Sequence, residues 1–179
     1  MKYISILRGI NVSGQKKIIM GDLKSLYQDL GFQNVLTYIQ SGNVIFEVGE
    51  SKIPELKENI ENAIQKKYKF HVPVEIRTNS ELSKVINNCP FGLVNLAENG
   101  TKVLLTFLSS VPSKSNVSEL LKHVKSPDEL AVSGKEVYLF CPGGYGKSKL
   151  SNSFMEKKLG VEATTRNWKS IHKLFELSS

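Results

Sequence analysis

The chain has 179 residues, 40% of them apolar, and a formal charge of +7; no apolar run approaches the roughly 20 residues a membrane-crossing helix requires. Met1-Lys2-Tyr3-Ile4 moves straight into a strand-like run with no leader-type apolar segment, so a cytoplasmic, non-exported protein is expected. Cys89 and Cys141 form no CxxC pair, and His71, His123 and His172 lie far apart, which argues against structural zinc and for two buried free thiols.

In chain order, Lys2 to Arg8 is strand-like and leads into the polar loop GINVSGQKK. Leu23, Leu26, Tyr27 and Leu30 then fall at helical spacing, with Gly31 placed to stop the helix. Val35 to Gln40 and Val44 to Val48 flank Ser41-Gly42, a hairpin signal. Pro54 opens a helix striped by Leu56, Ile60, Ala63 and Ile64, Val72 to Arg77 is a fourth strand, and Asn79 or Ser80 is placed to cap a third helix.

The same order then repeats. Val103 to Leu108 is a strand, Asn116 with Glu119 has capping-box spacing, and Leu130 to Val132 and Glu136 to Phe140 flank a second Ser-Gly, Ser133-Gly134. A helix is expected from about Ser148 to Leu159, stopped by Gly160. After it come a short extended piece, Val161 to Thr164, and a last helix capped by Thr164 or Thr165 with Trp168, Ile171 and Phe175 on its apolar stripe. A βαββαβ order folds as a ferredoxin-like antiparallel sheet with both helices on one face. The expected architecture is therefore α+β: two ferredoxin-like halves, 1–97 and 98–179, each with an added helix, related by an internal pseudo-repeat. Strands such as Val137-Tyr138-Leu139-Phe140 are apolar on both alternating faces, so both faces should be buried, and we expect the halves to share a core.

The charge is uneven. Residues 1 to 98 carry 12 basic and 10 acidic side chains, and residues 99 to 179 carry 12 and 7. The basic half contains CPGGYGKSKL, whose Gly146-Lys147-Ser148 resembles the end of a phosphate-binding P-loop. The first glycine of that pattern would fall at Cys141, Pro142 removes an N–H from the wrap, and hairpins do not build the parallel sheet a P-loop needs. What is left is a glycine loop beside Lys147 and Lys149, suited to a phosphate or carboxylate, or simply a solvated turn, with Tyr145 as a stacking lid or a packed aromatic. Arg8, Asn11 and Ser13 with two lysines make a second anion-friendly loop. Arg166, read in the first turn of the last helix against its dipole, is the strongest single pointer to a carboxylate or ligand. GxSxG, HExxH and RNP-type patterns are absent.

Three ordered blocks, YISILRGINVSGQKKI, LGFQNVLTYIQSGNVIFE and YGKSKLSNSFMEKKLGVEATTRNWKSIHKL, resemble the bacterial family called domain of unknown function 1697, with Ser13 standing where members usually carry a glycine. The resemblance implies a compact α+β fold, a cytoplasmic bacterial setting and no settled activity. It also implies shared polar residues at Arg8, Asn11, Gln40, Ser41, Asn43, Lys147, Ser148, Arg166 and Asn167.

The resulting expectation is a protein, or an enzyme of unknown reaction, that binds an anionic small ligand in a cleft between the halves. Arg8, Lys147 and Arg166 would supply charge, and Asn11, Gln40, Asn43 and Asn167 would orient the ligand. No metal, cofactor or membrane is called for, and a monomer suffices. A nucleic-acid-associated protein using the basic half, and a ligand-free interaction module, are the alternatives. Within one half, the hairpin turn is expected at the opposite sheet edge from the first loop.

Overall fold

Two four-stranded antiparallel sheets carry the fold, and they have the same connectivity. The first comprises β1 (Lys2–Leu7), β2 (Gln33–Tyr38), β3 (Asn43–Glu47) and β4 (Val74–Thr78) in the order β2-β3-β1-β4. The second comprises β5 (Val103–Leu108), β6 (Glu129–Ser133), β7 (Glu136–Phe140) and β8 (Ala163–Asn167) in the order β6-β7-β5-β8. This is the ferredoxin-like arrangement that the repeated element order predicts. The computed structural model describes all 179 residues, Met1–Ser179. It divides into two units, Met1–Ser83 with Leu174–Ser179, and Lys84–Lys173.

In the first unit, α1 (Met20–Asp29) and α2 (Ile53–Tyr68) set Leu23, Leu26 and Tyr27, and Leu56, Ile60 and Ile64, against the Tyr3, Leu7, Val44 and Phe46 face of the sheet. Stacked and edge-on pairs among Tyr3, Tyr27, Phe32 and Phe46 fill its centre. Of the two hydroxyls that β1 turns to this side, that of Ser5 bonds the Tyr27 hydroxyl at 2.7 Å and that of Tyr3 donates to Ser51 O at 3.2 Å, so none is left unsatisfied. In the second unit, α5 (Lys114–Leu121) and α6 (Asn152–Leu159) cover Leu104, Leu108, Val137 and Leu139 in the same manner. The opposite sheet faces are buried as well: Ile4, Ile6 and Ile45 in the first unit, Leu105, Phe107 and Tyr138 in the second. That is the burial expected of strands apolar on both sides.

Helix α3 (Asn79–Asn87) and helix α7 (Trp168–Leu177) are the added helices, and a further turn, α4 (Leu96–Asn99), spans the expected boundary at residues 97 and 98. Asn95 makes that turn possible by accepting the Ala97 and Glu98 N–H groups. Trp168 is core, 2% exposed, with its ring centroid 6.3 Å from that of Tyr138.

Several local boundaries differ from expectation because a side chain found a better partner. Helix α3 is capped by Thr78, whose N–H donates to Glu81 Oε2 at 2.7 Å while Glu81 N–H donates back to Thr78 Oγ1, a reciprocal box one residue before Asn79. Ser113 caps α5, while the Asn116 amide instead donates to Leu159 O at 2.9 Å. Helix α6 starts at Asn152 with Ser151 as its cap; Tyr145–Lys147 form a separate 3₁₀ turn, so the glycine loop does not open directly into a helix. Most consequentially, Thr164 and Thr165 do not cap the last helix. Their β-branched side chains extend β8, pairing with Phe107 and Thr106, and place Arg166 in a strand opposite Leu105. The dipole argument for Arg166 therefore falls away.

Candidate functional site

In the first unit the loop between β1 and α1 folds back on itself through left-handed residues. Gly9, Asn11, Ser13, Gly14 and Lys16 all have positive φ. Asn11 is the pin: its Nδ2 donates to Ile18 O and Gln40 O at 2.9 Å each, and its Oδ1 accepts Ile18 N–H at 2.9 Å. The loop thus lies against the β2–β3 hairpin turn, where Leu7 N–H also donates to Gly42 O at 2.8 Å. This corrects the expectation that loop and turn occupy opposite edges. Because β1 and β3 are antiparallel neighbours, the end of one meets the start of the other.

Asn43, fully buried, donates to Tyr38 O and to Ser41 Oγ and so closes that same turn. Asn11 and Gln40, with Gly14, Lys17, Ile18, Ile19 and Met20, line a cavity of about 430 Å³. Arg8, Ser41 and Asn43 are at the same sheet end but do not line it; the Arg8 N–H donates to Pro73 O at 2.9 Å. The sequence points to Asn11 and Asn43 as amides that would orient a ligand. Their amides are engaged in building the loop and the turn.

In the second unit, the glycine loop after β7 faces the segment that leads into β6. Between them lies a cavity of about 270 Å³ lined by Gly143, Gly144, Lys147, Ser148, Lys149 and Leu150 on one side and by His123, Lys125, Ser126, Pro127 and Asp128 on the other. Ser148 Oγ donates to Asp128 Oδ2 at 2.6 Å and accepts Leu150 N–H at 3.1 Å, tying the two walls together. Behind them Cys141 is buried, and burial pushes its thiol pKa up, against a smaller downward pull from the Ser148 hydroxyl, so it is not poised as a nucleophile. A P-loop is ruled out on geometry: Gly144 N–H is used by Cys141 O at 2.9 Å, and the sheet is antiparallel throughout.

The remaining expected residues do not line this cavity. Tyr145 packs against the core and its buried hydroxyl makes no hydrogen bond of good geometry, although Thr165 and the Asn152 backbone are beside it; burial raises its pKa. It is a packed aromatic, not a lid. Arg166 is 9% exposed, donates from Nη1 to Thr165 O at 2.9 Å, and has its pKa lowered to about 10 by burial, which leaves it charged at neutral pH. Asn167 caps α7, accepting Ser170 N–H at 2.8 Å. Lys125 and Asp128 were missed. The signal for them was the Ser126-Pro127-Asp128 turn, which fixes where the second wall bends. No group of three histidine, cysteine or acidic side chains is gathered as a metal ion would require, and no helix is long and apolar enough to cross a membrane.

The molecule is thus of a definable class, an α+β protein of two similar ferredoxin-like halves. The chain belongs to the family described as protein of unknown function (DUF1697), whose sequence profile matches residues 1–138. Among solved structures it is similar to a conserved bacterial protein, SP0830 from Streptococcus pneumoniae. The TM-score is 0.75 at 21% sequence identity, over 99% of this chain and 98% of that one. No curated protein matches the sequence.

Proposed function

We propose that the protein binds a small phosphate- or carboxylate-bearing molecule, and that the cavity of the second unit holds its charged group. The observation that supports this is the composition of the cavity wall. Lys125, Lys147 and Lys149 border one concave, half-open space, with His123 beside them. The only carboxylate in the wall, Asp128, already accepts the Ser148 hydroxyl. Three cations against one engaged anion leave a positive field, and a concave wall of low dielectric focuses it. Gly143 contributes an N–H that makes no hydrogen bond within the chain, a donor of the kind that recognises oxyanions. At about 270 Å³ the space accepts a phosphate with a small substituent and not a dinucleotide.

The test is a thermal melt of the whole chain titrated with inorganic phosphate and, separately, with small dicarboxylates, each against sodium chloride at equal ionic strength. A saturable rise in Tm with the anion, lost in Lys147→Ala and reduced in Lys149→Ala, is the expected result. A rise no larger than that given by chloride would sink the reading. Binding of a single-stranded oligonucleotide that collapses steeply with salt would replace it with the nucleic-acid alternative.

A further inference from the structure

In each half one connection is longer than its counterpart, and the two long connections stand at different places in the repeat. Strand β7 reaches α6 over residues 141–151, where β3 reaches α2 over 48–52; this is the glycine loop already described. Strand β1 reaches α1 over residues 8–19, where β5 reaches α5 over 109–113. The second half closes that connection with a short loop, so the extra length in the first half is not required by the fold. It instead walls the cavity of about 430 Å³ beside the β2–β3 turn. That volume lies inside the roughly 300–1,000 Å³ range of small-molecule sites.

The wall of this cavity differs in kind from that of the second unit: it holds one cation, no carboxylate and an aliphatic side. Lys16 is engaged, its Nζ donating to His71 O at 2.7 Å, while Lys17 lines the cavity with no partner in the chain. Gln40 brings an uncommitted side-chain amide, since Asn11 uses only its backbone carbonyl. Ile19 and Met20 supply the aliphatic side. Ile19 stands at the N-cap of α1 with the extended backbone, φ −76° and ψ 131°, that suits serine, threonine, aspartate or asparagine. It caps nothing and is 70% exposed, so it serves neither the helix nor the core. The acidic residue of that first turn, Asp22, lies outside the wall, where its charge acts on Tyr68.

We propose that this cavity binds an aliphatic monocarboxylate of medium chain length, with its carboxylate on Lys17 and the Gln40 amide and its chain along Ile19 and Met20. One cation matches one negative charge, and the two carboxylate oxygens can accept from an ammonium and an amide NH₂ together. A chain laid on Ile19 and Met20 removes aliphatic surface from water on both partners. A phosphate dianion would be left half-matched by a single lysine, and an aromatic ring would find no aromatic partner in this wall. The site is separate from the cavity of the second unit and does not rest on the function proposed for it.

The experiment is calorimetric titration of the full chain with sodium octanoate below its micelle concentration, mapped by amide proton–nitrogen correlation spectra. Saturable binding is expected, with shifts centred on Gly14, Lys17, Ile19, Met20 and Gln40. Octanamide, the same chain without the charge, should bind roughly tenfold more weakly. Lys17→Met raises the octanoate Kd roughly tenfold and abolishes the preference over octanamide. Ile19→Ser moves two readouts in opposite directions. It supplies the missing cap and raises Tm by about 2–4 °C, while loss of the aliphatic wall raises the octanoate Kd roughly tenfold. Lys147→Ala, in the glycine loop of the second unit, leaves octanoate binding unchanged. Absence of saturation, shifts centred elsewhere, or equal affinity of the parent chain for octanoate and octanamide overturns the proposal. So does full octanoate affinity in Ile19→Ser, or its loss in Lys147→Ala.

Discussion

Gly42 and Gly134 occupy the same Ser-Gly dipeptide in the two hairpins and both have positive φ, yet their surroundings make them unequal. A Cβ on Gly42 would lie 2.5 Å from Ile10 Cδ1 and 3.0 Å from Leu7 Cβ, whereas on Gly134 it would meet only the Glu136 carboxylate, at 3.7 Å. Alanine at either site carries the left-handed backbone penalty of about 1 kcal/mol; at Gly42 it also overpacks the place where the first loop rests on the turn, adding roughly 1–3 kcal/mol. Urea denaturation should show Gly42→Ala lowering stability by about 2–4 kcal/mol and Gly134→Ala by about 1 kcal/mol. Equal losses would mean that Ile10 moves aside freely and that the loop is not seated on the turn. The dipeptides were visible in the sequence; their inequality was not, because it depends on Ile10 arriving from a loop whose path is set by the Asn11 side chain.

At the level of elements the repeat offers an internal control. Helices α2 and α6 hold corresponding places, and both end on a left-handed residue: Gly160 at φ +70° after α6, but Lys69 at φ +63° after α2. Lys69 is exposed, and its N–H, which donates to Gln65 O at 3.0 Å, would be kept by glycine. Lys69→Gly should therefore stabilise the protein by about 1 kcal/mol, read as a higher urea midpoint, despite the larger entropy of glycine in the unfolded chain. No gain would mean that the lysine stem contributes packing equal to the backbone strain. Helices and strands of this kind were legible because their apolar spacing is dictated by one covered face, as in Leu56, Ile60 and Ile64. What was not legible was which of several competent side chains would cap. Thr78, Ser113 and Ser151 won over Asn79, Asn116 and Ser148 through contacts made in space, and Ser148 was taken by Asp128, 20 residues back along the chain. The candidate cavity was half legible for the same reason. Lys147 and Lys149 stand in the glycine loop, whereas Lys125 and Asp128 come from a wall that only the β6–β7 pairing brings opposite it.

For the whole molecule, the balance of charge predicts acid sensitivity in two separable stages. The His172 imidazole packs edge-on to Trp168, with centroids 5.5 Å apart, and burial lowers its pKa from 6.5. The unfolded chain then takes up a proton more readily than the folded one. Stability is full above the ordinary histidine pKa and falls as pH drops below about 6.5 toward the lowered folded value. Glu119 acts further down. Hydrogen bonds from Lys122, then His123 and Lys158, hold its carboxyl near a pKa of about 2, below the ordinary 4.5. Its contribution is present above the unfolded pKa and is lost as pH falls from there through about 2. The carboxylate is exposed, so the second stage is shallow and weakens further with salt. As carboxylates protonate, an excess charge that is already +7 grows, and self-repulsion acts in the same direction as both stages. Urea midpoints measured across pH should show His172→Gln flattening the upper stage while leaving the lower one. Glu119→Gln should cost a little stability at neutral pH, converge with the parent chain near pH 2, and leave the upper stage intact. A parent curve that is flat between pH 5 and 7, or an upper stage that persists in His172→Gln, would move the acid-sensitive group away from the Trp168 contact and place it elsewhere in the chain.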